Sequence, residues 1–154
     1  MPRWVESAPK NLRWARIETT ARVRWSECDF QGHAYYGSYV PWCDLGREAL
    51  GIAVGVDYQK YMFTTTEFHI RYHTSARYLD DLVIKTFAAT PHFRLDCYYE
   101  IYRKVGNQLL CEAKSSHALV DPQRGLKMGG AMFHDQFEAY LNRQDAAAGA
   151  AVPS

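Results

Sequence analysis

The chain has 154 residues, a length that one hydrophobic core can organise, so a single domain is expected. Its 18 basic and 17 acidic side chains leave a formal charge of +1 with no basic stripe, which argues against nucleic acid as a partner. Residues 1–16 carry Arg3, Glu6, Lys10, Arg13 and Arg16 without an apolar run, and no later stretch suits a membrane span; the expectation is a cytoplasmic protein with no leader and no membrane partner.

Taken in chain order, residues 1–16 read as an extension whose Trp4 and Trp14 pack on a domain spanning 17–143, and the Ala- and Gly-rich stretch 144–154 reads as a disordered tail. Alternation of Thr19, Ala21, Val23 and Trp25 with polar neighbours predicts a first strand over Glu18 to Ser26. A loop with Gly32 and Gly37 follows. Ser38 as N-cap, Pro41 in the first turn and the spacing of Tyr39, Trp42, Cys43, Leu45, Ala49 and Leu50 predict a helix that stops at Gly51. Being apolar on most of its surface, it is expected to be buried.

Beyond Gly55 and Asp57, four strand-like stretches succeed one another: Thr64 to His73, Leu82 to Thr90, Arg94 to Lys104 and Gln108 to Asp121. Gly106-Asn107 supplies a hairpin turn between the last two, and Phe133, Phe137, Tyr140 and Leu141 mark a closing amphipathic helix. The order is therefore strand, long helix, four mainly antiparallel strands, helix: an α+β layout with a helix against a curved sheet. Cys28, Cys43, Cys97 and Cys111 form no C-x-x-C pair and read as reduced, mostly buried thiols.

The stretch from Arg24 to Tyr39 carries the chemistry, because it sets one carboxylate, Asp29, and two glycines just ahead of a helix start. The first N–H groups of a helix lack internal partners and sit at its positive end. They could hold a thioester carbonyl oxygen and stabilise the oxyanion formed on attack, an effect of roughly a hundredfold or more per donor. An aspartate with an ordinary pKa of about 3.9 is ionised at neutral pH and could take a proton from water or add to the carbon directly as a mixed anhydride. Both routes stay open.

Val23-Arg24-Trp25 followed by Asp29-Phe30-Gln31-Gly32 resembles the hot-dog acyl thioesterases of the 4-hydroxybenzoyl-CoA thioesterase type. The likeness continues at Tyr39, Trp42 and Gly46-Arg47-Glu48, at Ile70-Arg71-Tyr72 and from Ala76 to Leu82, and so covers roughly residues 17–141. It implies a long central helix wrapped by a five-stranded sheet, hydrolysis of an acyl-CoA or acyl-carrier-protein thioester without a cofactor, and a homodimer or homotetramer with clefts across the interface. By position it implies Asp29 as nucleophile or base, the Tyr36 backbone N–H polarising the thioester carbonyl and Gly37 as a second donor. Gly32, His33, Tyr39, Trp42, Arg71 and Arg77 become candidate substrate contacts, the arginines for the phosphates of CoA or a phosphopantetheine arm. Ser75, Leu79 and His33 depart from the usual pattern. Gly32-His33 is similar instead to a branch in which carrier-protein substrates are frequent, although Ala34-Tyr35-Tyr36 does not complete that branch's motif.

Plainer roles stand beside these. Asp29 could merely cap its turn, His33 could be a structural histidine, Glu48 an ion-pairing residue, and Arg71, Arg77 and Lys85 solvated strand charges. Alternation turns Cys28 away from the face Asp29 uses. Glu67, His69 and His73 lie on a strand in the wrong order for a helical zinc motif, so no metal is expected. The rivals to hydrolysis are a hot-dog dehydratase or hydratase and a non-catalytic acyl-thioester binding protein.

Overall fold

The computed structural model describes residues 13–57, 59, 62–90, 94–121, 123, 125 and 131–150. Strands β1 (Ala15–Arg22), β2 (Met62–Tyr72), β3 (Asp81–Ala89), β4 (Arg94–Arg103) and β5 (Gln108–Val120) form one antiparallel sheet in the order β1-β3-β4-β5-β2. Helix α1 (Tyr39–Val54) joins β1 to β2, and α2 (Ala131–Ala150) follows β5.

The two-residue period of the strands makes the core. Leu82, Ile84, Thr86 and Ala88 of β3, Cys97, Tyr99 and Ile101 of β4, and Cys111, Ala113, Ser115, His117 and Leu119 of β5 are buried on alternate positions. Onto this face α1 lays Tyr39, Trp42, Cys43, Gly46, Leu50 and Val54. The approach is closest at Gly46, where an added Cβ would stand 2.0 Å from Thr86 Oγ1. All four cysteines are free, and burial pushes the Cys97 and Cys111 thiols up to about 12, so neither is a thiolate nucleophile.

Several boundaries differ from those expected, each for a local reason. β1 begins at Ala15 and ends at Arg22, because the chain turns into a 3-10 segment at Trp25–Glu27; Trp25 is consequently 58% exposed. α1 runs through Gly51 to Val54. Its stop is Gly55, whose φ of 88° lets its N–H reach back to the Gly51 and Ile52 carbonyls. Ser38 does not cap the helix; its hydroxyl donates to the Glu27 carbonyl at 2.8 Å. Nor is α1 buried all round: Leu45 and Ile52 are exposed beside Asp44 and Glu48. The β4–β5 turn is the expected one, with Gly106 and Asn107 both at positive φ.

α2 continues to Ala150, so residues 144–150 are helical rather than a tail; 151–154 and Trp4 lie outside the described residues, as does the Phe133 side chain. The helix grips the start of β1. Tyr140 donates its hydroxyl to the Arg16 carbonyl at 2.8 Å, while Gln144 accepts from the Arg16 N–H at 2.8 Å and donates to the Trp14 carbonyl at 2.9 Å. Arg13 pairs with Glu138 and Asp145. Trp14 packs edge-on against Tyr98 on the sheet face away from α1. Most of β2, at the opposite edge, is exposed.

Under α1 a polar ladder crosses the sheet. Tyr99 OH meets Ser115 Oγ at 2.9 Å, Ser115 Oγ meets His117 Nε2 at 2.7 Å, and His117 Nδ1 meets Thr65 Oγ1 at 3.1 Å. Burial and then the Arg47 charge lower His117 from 6.5 to about 4, so it is neutral in the folded chain. Between those values the unfolded chain holds more protons than the folded one. The stability that neutral His117 permits is therefore complete above about pH 6.5 and is lost as pH falls towards 4, by on the order of 3 kcal/mol. Urea unfolding of wild type and His117→Gln over this window checks it; the variant is expected to show a visibly flatter profile.

Candidate functional site

The segment between β1 and α1 folds into a tight hairpin. Tyr35 N–H donates to the Glu27 carbonyl at 2.8 Å, Asp29 N–H donates to the His33 carbonyl at 2.8 Å, and Cys28 bridges Ala34. Gly32, at a φ of 78°, makes the bend that a side-chain-bearing residue resists. Inside the bend Asp29 Oδ1 accepts the N–H groups of Gln31 at 2.9 Å and His33 at 3.1 Å. Asp29 thus does cap its turn, but with one oxygen. The residue is exposed, and among the described residues Oδ2 receives no hydrogen bond.

A second loop holds this hairpin from outside. Ala34 N–H donates to the Ala76 carbonyl at 2.8 Å, Tyr78 N–H to the Gly32 carbonyl at 2.9 Å, and His33 bridges Arg77. Two stretches singled out separately in the sequence are therefore hydrogen-bonded neighbours. Trp25 and Tyr78 meet edge to face at 5.2 Å beside them.

From the hairpin the chain enters α1 through a 3-10 turn, Tyr36–Ser38. The Tyr36 carbonyl is held by the Tyr72 hydroxyl at 2.7 Å, which fixes the direction of the peptide that follows. Among the described residues, no acceptor meets the N–H of Tyr36 or of Gly37. Gly37 has no room to spare: a Cβ there would lie 3.0 Å from the Tyr35 ring. The site is thus an exposed carboxylate on a braced hairpin and two open N–H donors at the start of a helix.

The profile of the thioesterase-like superfamily matches residues 23–150. The chain belongs to this superfamily. YneP of Bacillus subtilis, assigned as an acyl-CoA thioesterase, is 29% identical over 107 residues, which is 66% of this chain and 77% of the relative. A 1,4-dihydroxy-2-naphthoyl-CoA thioesterase from Synechocystis superposes with a TM-score of 0.74 at 17% identity, covering 85% of this chain and 98% of the other. A 4-hydroxybenzoyl-CoA thioesterase mutant crystallised with 4-hydroxybenzoyl-CoA superposes with a TM-score of 0.70 at 18% identity, covering 79% and 97%. The fold of this thioesterase-like chain is the hot-dog fold.

Not every candidate residue of the thioesterase-like chain lies where the sequence suggested. Tyr39 and Trp42, expected at the substrate, are 2% and 1% exposed and belong to the core. Tyr39 OH accepts the Ala76 N–H at 2.8 Å, and the Trp42 indole donates to Glu27 Oε2 at 2.8 Å. Arg71 stands between Ile70 and Tyr72 on β2, opposite Glu112 of β5. Lys85 approaches Glu18 and Tyr102. Glu48 has no ion-pair partner among the described residues. His73 bonds the buried Glu112 at 2.7 Å. Arg77 and His33 do stay with the hairpin.

Glu27 was missed. Its carboxylate accepts the Arg24 N–H and the Trp42 indole, each at 2.8 Å, and its carbonyl accepts Tyr35 and Ser38. One residue thereby ties the end of the first strand segment, the hairpin and α1 together. Its spacing three residues after Arg24 was the available signal, since such spacing lets a Glu side chain return to a backbone N–H. Glu27→Ala leaves the indole and the Arg24 N–H without their acceptor, a cost of about 1–3 kcal/mol. A drop of several degrees in melting temperature by circular dichroism is expected, with Glu27→Gln recovering part of it.

Proposed function

We propose that this chain hydrolyses acyl-CoA thioesters to a free carboxylic acid and CoA, with Asp29 supplying the attack. The observation that carries the reading is the exposed Asp29 carboxylate, braced through Oδ1, on the hairpin that leads into the open N–H groups of Tyr36 and Gly37. In the direct route Asp29 Oδ2 adds to the thioester carbon. The carbonyl electron pair moves onto oxygen, where the two N–H donors stabilise it, and returns as the C–S bond breaks and the thiolate leaves. Water then cleaves the mixed anhydride. In the alternative route Asp29 takes a proton from water as hydroxide adds to the same carbon, and that proton passes to the departing sulfur.

The name borne by the Bacillus subtilis relative favours CoA as the carrier; a carrier-protein substrate uses the same chemistry at the thioester. His33, Gly32 and Arg77, gathered at the hairpin, are the groups assigned to hold the arm that bears the acyl group. Two copies pairing through β2 complete the proposal, because a long exposed edge strand offers unpaired backbone groups to a second strand.

Thiol release, followed with a disulfide dye across benzoyl-, hydroxybenzoyl- and straight-chain acyl-CoAs, tests it. Turnover of at least one substrate by wild type and its loss in Asp29→Asn supports the assignment. A wild type inactive on every acyl-CoA, or a variant equal to it, overturns it.

A further inference from the structure

The turn that leads into α1 has a choice built into it. Ser38 N–H donates to the Tyr35 carbonyl at 2.9 Å, so residues 35–38 form a β-turn with the Tyr36–Gly37 peptide at its centre. Such a turn closes with that peptide in either of two orientations, related by turning the peptide over. One of them needs positive φ at the third residue of the turn and is favoured by glycine there. The third residue is Gly37, so the sequence admits both. The structure takes the 3-10 form, in which Gly37 is not at positive φ.

Tyr72 bears on that choice. Its hydroxyl donates to the Tyr36 carbonyl at 2.7 Å. That carbonyl and the Gly37 N–H belong to one planar trans peptide and point in opposite directions, so a donor on the oxygen aims the hydrogen away from Tyr72. Turning the peptide over would break this bond and present a carbonyl where the N–H had been, repelling an oxyanion instead of stabilising it. A hydrogen bond on the oxygen also polarises the amide and strengthens its N–H as a donor, by roughly 10–30%. The Tyr72 ring is placed independently of the turn: it ends β2 opposite Cys111 and meets the buried Tyr39 ring edge-on at 5.1 Å. A phenol carries one proton, so a hydroxyl committed to Tyr36 has none to give a substrate.

Resting on the hydrolase reading, we infer that Tyr72 is a positioning residue: by holding the Tyr36 carbonyl it selects the form of the turn in which the Gly37 N–H is presented to the thioester oxygen. Partial burial pushes the Tyr72 phenol above its ordinary value of about 10, so donation persists through the neutral range.

Tyr72→Phe keeps the ring on Tyr39 and removes the hydroxyl alone; at a residue 43% exposed the fold is retained, which thermal melting checks. In thiol release from the most active acyl-CoA the variant is expected to lower kcat about tenfold, less than the roughly hundredfold of losing a donor outright. KM is expected to stay within about twofold, because the donor counts only once the oxyanion forms. An S-alkyl-CoA thioether, which lacks the carbonyl oxygen, is expected to inhibit both proteins equally. The Gly37 amide resonance is expected to move in a nitrogen–proton correlation spectrum. Tyr102→Phe, which removes the phenolic bond to Glu100, is expected to leave kcat unchanged and controls for the loss of any tyrosine hydroxyl. Wild-type activity with kcat unmoved in Tyr72→Phe, a loss that falls on KM alone, or an unmoved Gly37 resonance overturns the inference by itself. No thiol release from any acyl-CoA overturns the hydrolase reading and the inference with it.

Discussion

Asp29→Asn is expected to slow thiol release by about a hundredfold to ten-thousandfold, the range spanned by a positioned acid or base, with an unchanged melting temperature. The expectation follows from the two oxygens having different tasks. Oδ1 accepts Gln31 and His33 and so holds the bend, while Oδ2, which receives no hydrogen bond among the described residues, is the oxygen proposed to react. A carboxamide oxygen can still accept those two N–H groups, so the hairpin survives; what disappears is the negative charge that attacks carbon or takes a proton. Asp29→Ala removes both and is expected to lose activity together with about 1 kcal/mol of stability, the usual worth of such a cap. Stability is read by thermal melting and activity by thiol release. An Asn variant as active as wild type would reduce Asp29 to a turn cap.

Gly46→Ala is expected to be the most damaging methyl group that can be added to α1. The new Cβ would meet Thr86 Oγ1 at 2.0 Å and Ile84 Cγ2 at 3.1 Å, both on β3 in the middle of the core and both on fully buried residues. No flexible end can swing aside, so helix and sheet must part. Overpacking of this kind costs typically 1–3 kcal/mol or more, which lowers the melting temperature of a chain this size by roughly 2–4 °C per kcal/mol. Because the Tyr36 and Gly37 N–H groups proposed as donors lie in the turn that leads into α1, thiol release is expected to fall as well. Thr86→Ala placed in the same chain removes the obstructing oxygen and should restore much of the loss. The Thr86 hydroxyl has no partner among the described residues, so its deletion strands no other group. Strictly additive effects in the double-mutant cycle would show that the clash is not the cause.

The sheet was legible because alternation along β3 to β5 coincides with burial, and Gly106-Asn107 announced its turn in two residues that tolerate positive φ. Helix ends were less so. Two glycines, Gly51 and Gly55, offered a stop, and only the second adopts the left-handed cap; spacing alone does not rank them. An Ala-rich stretch reads as loose until its partners are known, and α2 gains its partners from Arg13 and the backbone of Trp14 and Arg16, over a hundred residues away. At the site, Asp29 and Gly32 fell on the bend where the pattern put them. The turn-capping role of Asp29 is met by Oδ1 alone, which leaves Oδ2 for the proposed chemistry. Tyr39 and Trp42 were misplaced because a helix start has both an open and a covered side, and their facing depends on the loop at Ala76 and on Glu27.

The grip of α2 on the start of β1 also governs how many chains can assemble by sharing strands. A sheet open at both edges can recruit copies without limit, each arrival leaving a fresh edge for the next, and that is the geometry of a fibre. Here Tyr140 and Gln144 occupy the backbone groups of Trp14 and Arg16 that an incoming strand would need. In the proposed pair the two copies would instead meet at β2, each offering its exposed edge to the other in one symmetric step. The closing helix thus obstructs strand addition where β1 begins and, in the proposed pairing, biases growth by shared strands towards a finite pair.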